Sequence, residues 1–154
     1  SIVLFSFNGI SNFKEIVTLK SKEEFDPKMA KWIKAQTSKN SVFLIPIDLK
    51  TFYTDVERAC FVTFKHCPHN SVDFIEWYNR LKILNKNMHI KNTGGLAIDE
   101  INFNYNRLTE LEIMDIGKKY KIDYIITSST TKLKFKKCFL SSKYSLYKLD
   151  SFFE

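Results

Sequence analysis

Three continuous apolar runs constrain this chain more than any other feature: Val42-Phe43-Leu44-Ile45-Pro46-Ile47, Ala59-Cys60-Phe61-Val62-Thr63-Phe64 and Asp123-Tyr124-Ile125-Ile126-Thr127. A strand with one wetted face alternates apolar and polar residues, whereas a strand covered on both faces does not. Short unbroken runs bounded by polar segments therefore predict strands buried on both sides, as in a parallel sheet between helical layers. Pro46 has no N–H to give to a ladder, so the first strand ends there or lies where that donor is not needed.

The helix signals fall between and around these runs. Asp26-Pro27 reads as an N-cap followed by proline at the first helical position, predicting a helix over 27–37 with Met29 and Ile33, and Trp32 and Gln36 beside them, at helical spacing, which stops at Thr37-Ser38-Lys39-Asn40. Asp48 to Glu57 reads as a loop or a short turn of helix. Pro68 breaks the chain, and Ser71 is a cap for a helix to about Asn85, with Phe74, Ile75, Tyr78, Leu81 and Leu84 as its apolar face. Asn92-Thr93-Gly94-Gly95 reads as a turn. Thr109-Glu110-Leu111-Glu112 has capping-box spacing, and the helix after it buries Ile113, Ile116, Gly117 and Tyr120. Two β segments, about 137–141 and 143–148, pair as a hairpin through Ser141-Ser142. The expected fold is α/β: a layered domain with a mostly parallel central sheet flanked by helices and an antiparallel C-terminal hairpin. Residues 1–25 read as a lead-in or linker and 26–154 as a single α/β domain.

Length and composition agree with one such domain: 154 residues, 44% of them hydrophobic. The first residue, Ser1, marks a processed chain or a piece of a longer one. No window reaches the roughly 18 apolar residues that a membrane span needs. Ile2 to Phe7 is a short apolar run, readable as an edge strand or as the stub of a membrane helix cut off upstream, and it lacks the basic flank and cleavage site of a signal peptide. Cys60, Cys67 and Cys138 do not make a disulfide scaffold; one pair could bridge in an oxidising compartment, and buried free thiols are expected for at least two. The formal net charge is +7, which favours anionic partners. Only Arg58, Arg80 and Arg107 supply bidentate donors, however, so the expectation is no nucleic-acid partner.

A search for chemistry finds neither a P-loop nor a GxGxxG nor a GxSxG pattern, and no cofactor is implied. His66, Cys67 and His69 fall within four residues and are the most metal-like cluster, but a closed zinc site needs a fourth ligand, and the expectation is no metal. In open α/β sheets ligands bind outside the carboxyl ends of the strands. That rule selects Lys65, at the end of the second run, and Asp48, after the first. Trp77 and Arg80, on the helix after Pro68, could add a stacking face and a bidentate donor; the bland reading is that Arg80 pairs with Glu76 four residues earlier. The tentative ligand-binding set is thus Asp48, Lys65, Trp77 and Arg80, lining a shallow polar groove that would suit a sugar phosphate or a carboxylate. Lys132-Leu133-Lys134-Phe135-Lys136-Lys137 reads as an edge strand protected by lysines, or as a stretch resting on an anionic membrane surface.

Several of these pieces together resemble a family of uncharacterised bacterial multi-pass membrane proteins in which a soluble α/β domain follows the last membrane helix. The pieces are Trp32-Ile33-Lys34 with Thr37, Val42 to Pro46, Glu57-Arg58, Phe64-Lys65, Pro68 and, most specifically, Glu76-Trp77-Tyr78-Asn79-Arg80-Leu81. Lys118-Lys119-Tyr120, Asp123 to Ile126 and Tyr144 to Leu149 fit the same layout, so the resemblance covers about residues 28–149. It departs at Ile47, where a second proline is expected, and at Tyr53, where an arginine is expected. The layout is similar to that of membrane glycosyltransferases that use lipid-linked sugars. The resemblance implies a non-catalytic extracytoplasmic domain in envelope glycan handling, on the outer face of the bacterial cytoplasmic membrane. It implies the membrane-spanning portion of the same parent chain as a partner; the groove and the lysine-rich stretch read above add an anionic lipid or sugar-phosphate ligand. The alternative is a small free-standing α/β enzyme or ligand-binding domain for a phosphorylated or sugar substrate.

Overall fold

A computed structural model describes residues 25–149. The lead-in, including the Ile2 to Phe7 run, lies outside the described residues apart from Phe25, which is buried against Phe52 and Tyr144. The elements in chain order are α1 (Pro27–Gln36), β1 (Val42–Leu44), α2 (Phe52–Val56), β2 (Ala59–Cys60), α3 (Ser71–Leu84), α4 (Gly94–Tyr105), α5 (Glu110–Tyr120), β3 (Tyr124–Ser128), β4 (Lys136–Leu140) and β5 (Tyr144–Lys148). They form an α/β domain around one five-stranded sheet of order β2-β1-β3-β5-β4.

The three apolar runs lie side by side, β1 pairing in parallel with β2 on one side and β3 on the other. The C-terminal hairpin then adds β5 and β4 antiparallel to β3. Alternation along each strand divides the core into two layers. Phe43, Ile45, Tyr124, Ile126 and Leu146 meet α1 and α2 on one face, through Met29, Ile33, Phe52 and Val56. Leu44, Ile125 and Tyr147 meet α3, α4 and α5 on the other, through Leu81, Leu84, Ile101, Ile113 and Ile116. Unbroken apolar runs are thus what a strand covered on both faces requires. Each large side chain so buried contributes on the order of 1.5–3 kcal/mol relative to exposure.

The caps follow the sequence signals with one shift. Asp26 Oδ1 accepts from the amides of Lys28 and Met29 at 2.9 and 3.1 Å, with proline next in the helix. Thr109 and Glu112 form the full capping box. The cap of α3 is Asn70 rather than Ser71: its Oδ1 accepts from Asp73 N at 2.9 Å. The apolar face of α3 also differs from the expected one. Leu81 and Leu84 are buried, but Phe74 and Ile75 are 43% and 60% exposed. The first turns of α3 overhang the sheet, and Trp77 and Arg80 turn inward there instead.

Two further departures have local causes. The second run pairs in the sheet only at Ala59 and Cys60, with one more bond from Phe61 N to Phe43 O at 2.8 Å. Beyond it the carbonyls of Phe61 and Thr63 accept from the Arg80 guanidinium and the Trp77 indole, at 2.9 and 2.8 Å, so side chains replace the ladder. The Gly94-Gly95 pair, read as part of a turn, instead opens helix α4. Gly94 has φ +55°, a left-handed value that any other residue would hold under strain. The edge strand β4 starts at Lys136; in the lysine-rich stretch before it Phe135 is buried, while Lys132 and Lys134 are exposed.

Arg58 ties the α1 and α2 ends together. It is 5% exposed. Its Nη2 donates to the carbonyls of Lys34 and Thr37 at 3.1 and 3.0 Å, Nη1 to that of Glu57 at 3.2 Å, and Nε to Thr37 Oγ1 at 3.2 Å. α2 ends on Glu57 in the left-handed region and α1 ends on Thr37, so one guanidinium satisfies carbonyls that both helix termini leave open. Arg58→Ala should lower the unfolding free energy by about 2–4 kcal/mol, because several buried acceptors lose their donor together; urea unfolding followed by circular dichroism measures it, and a loss under about 0.5 kcal/mol would contradict this role.

Candidate functional site

The crevice outside the carboxyl ends of the parallel strands is where an open α/β sheet binds ligands. Here β1 continues to β2 on one side while β3 lies on the other, so the crevice falls between β1 and β3. On the α4 face it is filled. The buried Tyr105 hydroxyl donates to the Ile126 carbonyl at 2.6 Å and lies 3.2 Å from that of Leu44, bridging the end of β1 and the middle of β3. Beside it Asn102 Oδ1 accepts from Ile47 N at 2.9 Å. Burial holds the Tyr105 phenol well above its ordinary pKa, and the negative charge of Asp48 acts in the same direction. Both residues belong to α4, whose opening Gly94-Gly95 pair resembles a turn in sequence. The spacing Ala97, Ile101, Tyr105 is the signal that would have found it.

The four sequence-selected residues do not line a common cleft. Trp77 and Arg80 border a small pocket of about 260 Å³ with Thr63, His66, Asp73 and Glu76. Their donors are already engaged: Trp77 Nε1 on Thr63 O, Arg80 Nη1 on Phe61 O, and Arg80 Nε on Glu76 Oε1 at 2.9 Å. The guanidinium also lies 5.3 Å from the Phe61 ring centre and 5.5 Å from that of Tyr120. The Glu76–Arg80 pair read from the sequence is therefore present, with a stacked and backbone-bonded arginine behind it. Lys65 is exposed at the end of the second run. His66 Nδ1 sits 2.8 Å from Thr63 Oγ1. Among the described residues no three His, Cys, Asp or Glu side chains are grouped as metal ligands would be.

Asp48 lines a different and larger cleft, of about 700 Å³, on the α1/α2 face of the sheet. Three segments far apart in sequence build it: Phe25 to Lys28 at the start of α1, Asp48 to Thr51 between β1 and α2, and Phe139 to Tyr144 at the hairpin turn. β5 runs antiparallel to β3, and Tyr144 is paired with Ser128, so the hairpin turn stands at the carboxyl end of the parallel strands. Lys28, Lys50 and Lys143 project around the cleft as exposed residues. The Asp26 carboxyl is held below its ordinary pKa: burial opposes this, but the amides of Met29 and Lys28, the Ser141 hydroxyl and the Lys28 charge together outweigh it.

Elsewhere the polar interior serves the backbone. Asn85, fully buried, accepts from Asn104 Nδ2 at 2.7 Å and donates to Glu100 Oε1 at 3.1 Å. Glu100 also accepts from the amides of Lys91 and Asn92 and from Asn92 Nδ2, and these bonds, that of Lys91 foremost, hold its pKa down. Among the described residues none of the three cysteines is in a disulfide. Cys60 and Cys138 lie on opposite edge strands, four strand spacings or about 19 Å apart, well outside disulfide reach.

A family model described as "Domain of unknown function (DUF6798)" matches residues 26–84, from the cap of α1 to the end of α3. That span contains Arg58 and the Trp77–Arg80 anchor. No curated protein and no solved structure matches the chain. No helix among the described residues is long and apolar enough to cross a membrane.

Two measurable consequences follow from these environments. Glu100 has a folded-state pKa below its ordinary 4.5, so its ionised form adds stability at neutral pH and that contribution is lost as pH falls below 4.5 toward the folded value. Glu100→Gln should flatten the acid limb of the stability–pH curve relative to the native chain, and parallel limbs would contradict the network. Burial pushes the Cys60 thiol up to about 11, whereas Cys67 is exposed. At pH 8 only about one Cys60 in a thousand is thiolate, so iodoacetamide should alkylate Cys67 well before Cys60; mass spectrometry of peptides from briefly treated native protein reads the order.

Proposed function

We propose that this chain is a non-catalytic binding domain, the extracytoplasmic part of a multi-pass membrane protein engaged in envelope glycan handling. The observation that carries the non-catalytic reading is the use made of the reactive-looking groups. Tyr105, Trp77 and Arg80, together with Asn102, all bond to main-chain groups, and the crevice on the α4 face is occupied by the protein's own side chains. A general acid, base or nucleophile needs a group free to face a substrate; the Tyr105 hydroxyl is buried, and the Trp77 indole and Arg80 guanidinium are held by main-chain carbonyls and Glu76. The membrane setting is drawn from the resemblance carried by Glu76 to Leu81 and by the Phe64-Lys65 end of the second apolar run. The partners that follow are the membrane-spanning part of the parent chain and an anionic lipid or sugar phosphate.

A second reading, a free-standing ligand-binding or enzymatic α/β domain for a phosphorylated or sugar substrate, is favoured by one observation: the open cleft of about 700 Å³ at the carboxyl end of the sheet. The two readings differ in where the domain resides. With an epitope tag in the loop at Asn87, the parent protein should fractionate with membranes, and protease added to intact spheroplasts should remove the tag. A tag protected from external protease, or recovered with soluble cytoplasmic protein, would overturn the extracytoplasmic placement.

A further inference from the structure

The plug formed by Tyr105 and Asn102 closes the carboxyl end of the sheet on the α4 face only. On the α1/α2 face the same end opens into the larger cleft, and three ammonium groups stand around it. Lys28, Lys50 and Lys143 are all exposed, and none is in an ion pair among the described residues. They come from three separate segments, so their meeting is a product of the fold rather than of a local lysine run.

Two carboxylates share the cleft, and they are not equivalent. Asp26 is already satisfied by the α1 amides that it caps and by the Ser141 hydroxyl. Asp48 is the exposed one. Three lysines against two carboxylates leave the lining cationic by one charge, with Asp48 on the rim able to accept a hydroxyl. The same lining also carries apolar side chains: Phe25, Leu49, Phe139 and Tyr144, and Leu140, which is 57% exposed. Phe25 is fixed by Phe52 and Tyr144, at ring-centre distances of 5.3 and 5.9 Å, so this wall is preformed. Pockets that combine an apolar wall with a few convergent charges orient ligands that have both characters.

We propose that this cleft binds a phosphate ester carrying an apolar chain, with Lys28, Lys50 and Lys143 around the phosphate and the Phe25–Leu140 wall against the first carbons of the chain. The proposal rests on reading the chain as a binding domain, and it assigns the cations to residues other than Lys65 and Arg80. Lysine suits this role because each ammonium contributes charge without demanding one geometry. The ester could be a lipid headgroup or a soluble molecule; the recognising chemistry is the same.

The test is an amide NMR titration of the whole 154-residue chain with dodecyl phosphate below its micelle concentration. Inorganic phosphate and dodecyl maltoside serve as the charge-only and chain-only probes. Saturable shifts clustered at 25–28, 48–51 and 139–144, with both control probes at least tenfold weaker, are expected. Lys50→Gln and Lys143→Gln should each weaken dodecyl phosphate binding about fivefold, with thermal unfolding unchanged because both residues are exposed. Flotation with phosphatidic acid vesicles, lost in the double variant, would identify a headgroup as the source; binding of the soluble ester without flotation would identify a free ester, and either supports the site. Shifts elsewhere, equal binding of dodecyl maltoside, or variants that bind as the native chain does would overturn it. Such a failure would leave the protease result on membrane placement standing.

Discussion

Strand β1 is three residues long, and the rest of the domain is arranged to keep its polar backbone paired. At its start Val42 N donates to the Asp123 carboxylate at 2.7 Å, while Asp123 N donates to Val42 O at 3.0 Å. Its middle is held by β2 and β3, and Phe61 N closes the ladder on Phe43 O. At its end the Tyr105 hydroxyl lies against Leu44 O, and Asn102 accepts Ile47 N. A strand so short offers few ladder bonds, and a buried unpaired amide or carbonyl costs on the order of 1–3 kcal/mol. Side chains from α4 and from the turn before β3 therefore do what longer neighbouring strands do in larger sheets. This also explains why the ligand crevice on the α4 face is closed: the groups that finish the strand occupy it.

The elements that could be read from sequence are those whose cause is local. Asp26-Pro27 and the Thr109–Glu112 box write helix starts within four residues, and an unbroken apolar run states directly that both faces of a strand are covered. What could not be read depends on how elements meet. Periodicity marks a stripe on α3 but not where the helix starts relative to the core, so Phe74 and Ile75 were placed inside when the helix overhangs. The second run looks like a longer strand because its residues are buried. The burial at Phe61 and Val62 comes from the α3–α5 layer, and side-chain donors take over the backbone there. Helix α4 was lost because a glycine pair is as good a turn as a helix start, and only the four-residue spacing behind it separates the two.

The candidate site divides the same way. Asp48 could be placed at a strand end from the run that precedes it, and it does line the larger cleft. Its partners there, Lys28, Lys50 and Lys143, are separated by 22 and 93 positions in the chain. No spacing rule links them; the α1 start and the hairpin turn meet only because α1 packs on the face that the hairpin extends. Arg80 and Trp77 looked like site residues because their types are rare and versatile. That versatility is what fits them to bond a bent backbone and stack on Phe61 and Tyr120 at once.

The charge of the chain takes on a different meaning once its arginines are located. Arg58 is buried on helix-terminal carbonyls and Arg80 is held by Glu76, Phe61 and two rings. Arg107 lies 5.0 Å from the Phe103 ring centre, on the exposed side of α4. With two of the three guanidinium groups committed inside, the positive surface is carried overwhelmingly by lysine. An ammonium is a strongly hydrated point charge on a flexible stem, and it reports the presence of an anion more than its shape. Selectivity on such a surface has to come from what surrounds the charges: the depth of a cleft, an apolar wall, a lone carboxylate. The α1/α2 cleft combines lysines with apolar side chains and a rim carboxylate, Asp48, whereas Lys136 and Lys137 stand on the edge strand β4, Lys137 over the Tyr147 ring at 5.4 Å. Lysines stand in both places, and the shape of the apolar surface is what separates a place that can choose a ligand from one that only keeps the edge from pairing.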